Sequence, residues 1–78
     1  MPTLLVAEGF RFWFYSNEGQ EPPHVHVSNA GAVGKIWLQP LRVAYSHGFT
    51  PSQLRRVREL AFEHHASFLE RWHEHFGR

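Results

Sequence analysis

The chain has no cysteine and no aspartate. The first absence excludes disulfide staples and thiolate metal sites, so stability must come from packing or from association. The second leaves glutamate as the only acid, and no paired-carboxylate motif for general acid-base work stands out. Net charge is equally scarce at +1 with neutral histidines, too little to argue for nucleic-acid binding from bulk electrostatics. No stretch approaches the roughly 20 apolar residues of a membrane span, and no charged leader precedes an apolar run. These features give the expectation of a cytoplasmic protein with no membrane partner.

What the 78 residues do hold is aromatic and imidazole rings: seven Phe, three Trp, two Tyr and seven His. The length fits a single domain over residues 1–78, and the aromatics can bury large apolar areas in a compact fold. Below about 70–80 residues one core rarely supplies more than a few kcal/mol, so a second copy or a small cognate protein is the expected partner. Protonation of several histidines near pH 6 would turn the surface basic and strengthen any anionic contact.

The aromatic run over residues 9–15 reads as the first strand, and residues 16–23, with Asn, Gly and two prolines, read as a loop. A second strand follows over residues 24–27. Asn29, Ala30 and Gly31 turn the chain into a third strand over residues 34–38, which Pro40 interrupts. A fourth runs over residues 41–46, with Leu41, Val43 and Tyr45 on one face. Short connections predict an antiparallel meander.

One long helix is expected over residues 51–76. Thr50 is its N-cap, Pro51 its first residue, Gln53 completes a capping box, Phe49 staples onto Leu54, and Gly77 ends it. Leu54, Val57, Ala61, Phe68, Trp72 and Phe76 form an apolar stripe, with Leu69 beside it. The predicted class is therefore α+β, with an antiparallel sheet of about four strands packed on one long C-terminal α-helix.

Strand alternation then sorts the sheet. Phe10, Phe12, Phe14, Val25, Val27, Ile36 and Leu38 turn toward the helix, leaving Arg11, Trp13, Tyr15, His24, His26, Lys35 and Trp37 on the uncovered face. Trp13, Tyr15 and Trp37 fit an interface with a partner or a second copy. Interleaved with cations they also fit a platform that stacks unpaired bases of RNA or DNA. A slip of one residue would instead bury the histidines beneath the helix.

The run Pro22-Pro23-His24-Val25-His26-Val27 carries the most chemistry, because it sets two imidazoles on one strand face after a rigid turn. His24 and His26, assisted by Arg11 or Lys35, have the residue types for metal-free proton transfer and phosphoryl charge stabilisation, as in RNA cleavage. A divalent metal such as zinc needs a third protein ligand, for which His47, His64 and His65 are the candidates. The plainer reading of His64 and His65 is a hydrogen-bonded imidazole in the helix–sheet seam. Glu18 and Glu21, the acids nearest the pair, read as loop solvation. His73 and His75 suit the helix C-terminus.

Met1-Pro2-Thr3, Phe14-Tyr15-Ser16-Asn17-Glu18, the Pro-Pro-His-Val-His-Val run, Glu63-His64 and Trp72-His73-Glu74 together resemble a small bacterial family, domain of unknown function 4160. Its pattern falls on Pro22, Pro23, His24, His26, His64 and Trp72, so the resemblance supports the histidine pair, makes His64 its third metal candidate and gives Pro22, Pro23 and Trp72 supporting roles. It implies a stand-alone protein often encoded beside a second small protein, in arrangements like toxin–antitoxin pairs, and implies no activity. The leading expectation is a toxin–antitoxin-type module acting through the uncovered sheet face. The alternatives are a histidine-dependent nuclease or metal-dependent hydrolase centred on His24 and His26, and a non-catalytic nucleic-acid-binding module.

Overall fold

The computed structural model describes residues 3–77. Met1 and Pro2 of the family-like pattern therefore lie outside the described residues. Five strands, β1 (Thr3–Ala7), β2 (Phe10–Trp13), β3 (His24–Asn29), β4 (Ala32–Leu38) and β5 (Leu41–His47), precede two helices, α1 (Pro51–Glu63) and α2 (His65–Phe76). The strands form one antiparallel sheet in sequence order. The α+β class and the meander are as expected, with one strand more and the helix divided in two.

The additional strand is β1. Its Leu4-Leu5-Val6 run lacks the apolar–polar alternation that marks a half-buried strand, and the register explains why. Thr3 pairs with Trp13 but Leu5 pairs with Phe12, so Leu4 is an extra, bulged residue, and both leucines reach the core. Two-residue turns join β1 to β2 through Glu8-Gly9 and β3 to β4 through Ala30-Gly31. All four residues have positive φ, the backbone of the tight hairpin turn that matches strand twist.

The helix begins as its sequence dictates. The Thr50 hydroxyl accepts from the Gln53 amide at 3.1 Å, and the Thr50 amide donates to the Gln53 side chain at 2.9 Å. Gly77 closes the far end in the left-handed region, donating to the His73 carbonyl at 2.8 Å. The break falls at His64, whose φ of −106° and ψ of 14° leave the helical region. No proline or glycine marks it. Beside the break, His65 Nε2 donates to the Leu38 carbonyl at the end of β4, which pins the bend against the sheet. The bend suits a twisted sheet, which a straight rod would meet over only part of its length.

One core results. Phe10, Phe12, Val25, Val27, Ile36 and Leu38 from the sheet meet Val57, Leu60, Ala61 and Phe68 from the helices. Leu60 extends the predicted stripe. Burying each large side chain contributes about 1.5–3 kcal/mol, which supplies what absent cross-links cannot. At one end Trp72 packs against Phe14, with ring centroids 5.2 Å apart and an edge-on tilt.

The outward face is ordered in cross-strand rows. Val6, Arg11, Ser28, Val33 and His47 form one row, and Thr3, Trp13, His26, Lys35 and Tyr45 the next. His24, Trp37 and Arg42 form the third. Tyr45 corrects the expected alternation of β5. Val43 pairs with Ile36 and Tyr45 with Lys35, so Ala44 is a bulged residue, and Tyr45 turns outward, opposite to Leu41 and Val43.

Candidate functional site

Residues 14–23 leave β2 and fold back over the third row instead of projecting into solvent. Their turns are closed by the Glu18 amide donating to the Tyr15 carbonyl at 3.2 Å and the Glu21 amide donating to the Glu18 carbonyl at 3.1 Å. Gly19 permits the close approach of this segment to α2. A Cβ there would lie 2.5 Å from the Phe76 ring, inside any normal contact distance. The consequence is that the uncovered face is covered at one end by the chain itself.

This fold-back brings Glu18 onto the histidine pair. His26 Nε2 donates to the Glu18 carboxylate, 3.0 Å from Oε1 and 2.9 Å from Oε2. The Tyr15 amide donates to Oε1 at 3.0 Å. His24 Nδ1 donates to the Pro22 carbonyl at 2.9 Å, which fixes its tautomer and turns Nε2 toward Glu18. Nε2 comes within 2.9 Å of Glu18 Oε1, but off the direction of a hydrogen bond, and it is a buried nitrogen without a hydrogen-bond partner. Loss of water, the largest single influence, pushes the Glu18 pKa up. The Tyr15 amide and the two imidazoles together outweigh it, and the carboxyl sits below its ordinary value.

The surrounding rings seal the group. Trp72 from α2 lies 4.9 Å from the His24 ring and Trp37 5.6 Å from it. Trp13 stacks on His26 at 5.6 Å, and Tyr15 meets the same ring edge-on at 5.0 Å. The side chains of His24, His26 and Glu18 are only 0%, 11% and 16% exposed. Pro23 contributes through its carbonyl, which accepts from the Leu38 amide at 2.9 Å.

The other predicted residues sort as follows. Lys35 pairs with Glu21 and lies 4.4 Å over the Trp37 ring, while Arg11 donates to the Thr3 hydroxyl at 3.2 Å and lies 4.7 Å over Trp13. Both cations share the histidine face, and both already have partners. Trp13 is buried and Trp37 partly so, which leaves Tyr15 as the exposed member of the aromatic trio. His64 is not the third member of the cluster: it stands at the helix break with its ring stacked on Phe68. The third member is Glu18, and the expectation that it serves loop solvation is corrected accordingly. Among the described residues, Glu18, His24 and His26 are brought together with their ligand atoms within 4.8 Å of one another. A carboxylate eight positions before the second imidazole has no fixed motif spacing, so only the fold-back reveals it. His65 is the hydrogen-bonded imidazole of the seam, as its plainer reading holds.

A cavity lies elsewhere, between β5 and α1, lined by Ile36, Leu41, Arg42, Val43, Arg58, Ala61 and Phe62. It contains no histidine. No described helix is long and apolar enough to cross a membrane.

A five-stranded meander backed by a bent helical pair, with a histidine–glutamate cluster folded under its longest loop, defines a small α+β protein class. The profile of the family described as Domain of unknown function (DUF4160) matches residues 9–73, and the chain belongs to that family. No curated protein and no solved structure matches the chain significantly.

Proposed function

We propose that the protein is a toxin–antitoxin-type module that works by docking an acidic protein partner on the outward face of its sheet. One observation carries this reading: apolar side chains are left exposed on that face beside cations. Val6, Tyr15, Val33 and Tyr45 are 66%, 41%, 42% and 44% exposed. Arg11 and His47 share a row with Val6 and Val33, and Arg42 is on the same face. Exposed apolar residues gathered beside cations mark association surfaces, and arginine and tyrosine are typical anchors there. A second copy would bring arginines against arginines, whereas an acidic partner neutralises them.

The catalytic reading carries less weight, because the His24 side chain is wholly buried and that of His26 only 11% exposed among Glu18, Trp13, Trp37, Tyr15 and Trp72, which leaves no room for a nucleic-acid substrate. Base stacking has the same difficulty at Trp13, whose ring is occupied by His26 and Arg11. The test is co-expression with the product of the neighbouring open reading frame, where the family resemblance places a partner, followed by titration of the two purified proteins. A one-to-one complex is expected, weakened at least tenfold by Val33→Glu. Undiminished binding by that variant, or self-association of the chain alone with no complex, overturns the reading.

A further inference from the structure

We propose that Glu18, His24 and His26 form a binding site for a zinc-class transition-metal ion, which fastens residues 14–23 to the sheet. The inference does not rest on partner docking: the cluster lies beneath the loop, and of the exposed apolar residues only Tyr15 touches it, while Val6, Val33 and Tyr45 are on strands away from the loop.

Four observations carry it. The three ligand atoms lie within 4.8 Å of one another. Tetrahedral zinc, with bonds of about 2.0–2.2 Å, places its ligands roughly 3.3–3.6 Å apart, so the 2.9 Å approaches of Glu18 to each imidazole open by about half an ångström while the two imidazole nitrogens draw together from within 4.8 Å. His24 Nε2 is wholly buried, lacks a hydrogen-bond partner and faces the carboxylate. A buried imidazole nitrogen left unpaired loses the free energy of a hydrogen bond, and a metal ion would restore it. Finally, the Pro22 carbonyl holds Nδ1–H of His24, the outer contact that metal-bound histidines typically make to fix ring orientation.

The donor set also selects the ion. Two imidazoles and one carboxylate suit zinc, cobalt, nickel or copper, whereas magnesium and calcium prefer oxygen throughout. Three protein ligands leave a fourth position, which at a site this enclosed is suited to a water molecule. The bound ion would replace the direct carboxylate–imidazole contacts, with Glu18 as the ligand supplied by the covering loop and the histidines as those supplied by β3.

The experiment uses untagged full-length protein stripped with a chelator. Zinc is titrated against a chromophoric competitor, and cobalt absorption reports coordination geometry. One equivalent is expected, with intense tetrahedral cobalt bands and a rise in melting temperature on the order of 10 °C at a hundredfold excess over Kd. Glu18→Gln, nearly isosteric and suited to preserve the fold, should weaken binding at least tenfold and abolish the tetrahedral bands. His26→Gln should do the same, while His47→Gln should change neither. Failure to bind stoichiometrically overturns the site, as does equal binding by Glu18→Gln, which would assign the ion to other histidines. His24→Ala is avoided as the sole test because its ring is part of the packing around Trp72.

Discussion

Ala30 holds a backbone conformation that suits it poorly. Its φ of 49° lies in the left-handed region, which costs a residue with a Cβ roughly 1–2 kcal/mol relative to right-handed backbone. Asparagine followed by glycine is the preferred pair for this hairpin turn, so Ala30→Asn should stabilise the fold by about 0.5–1 kcal/mol, seen as a higher urea midpoint at unchanged slope. A lower midpoint would mean that the turn is held by something other than its own backbone. At the other extreme, Trp72 is fully buried and touches Phe14, Phe76 and His24. Trp72→Ala should cost about 3–5 kcal/mol in the same denaturation experiment, and Trp72→Phe distinctly less. Residues of this kind are legible in the sequence because aromatic spacing and capping chemistry are local. Glu18 is not, since its meeting with His26 depends on how a loop folds back in space.

At the scale of elements, the turn between β1 and β2 is tied to α1 by charge. Arg56 donates to Glu8 through Nε at 2.9 Å, and also reaches Glu59 at 3.3 Å and Glu63 at 3.2 Å. The hydrogen bond from Arg56 is the main reason that the Glu8 pKa is lowered from its ordinary 4.5. An acid whose folded pKa is lowered stabilises the fold above its unfolded value and loses that contribution as pH falls through the folded one. The stability difference between wild type and Glu8→Gln should therefore be full at pH 6 and shrink steadily below pH 4.5, most clearly at low salt. A difference that grows on acidification would contradict the tie. The same region shows where pattern reading falls short. The bulge at Leu4 hides β1 from a period of two, and the bend at His64 lies in a stretch whose helical period continues on both sides.

At the scale of the whole molecule, the outward sheet face and the cavity between β5 and α1 are both open to a partner among the described residues. Phe62, 74% exposed, borders the second. If the sheet face is the docking surface, Phe62→Glu should leave partner affinity within about twofold in titration calorimetry, while Val33→Glu lowers it at least tenfold. The reverse pattern would move the docking site to the cavity. Strand alternation places Phe12, Val25, Val27 and Ile36 in the core and sets His26 in one row with Trp13 and Lys35, yet His24, His26 and Trp13 are buried and not left open, with His24 packed on Trp72 of α2. It could not foresee that residues 14–23 would close over one end of the outward side, because alternation describes a strand and is silent on what crosses it.

The bulged Ala44 has one more consequence. Its removal would leave Tyr45 opposite Lys35 and His47 opposite Val33, both still outward, whereas pairing Ala44 in register with Lys35 would turn Tyr45 and His47 toward the core and present Ser46 in their place. By taking up one alanine outside the ladder, the bulge lets this margin of the protein greet its surroundings with rings instead of a hydroxyl.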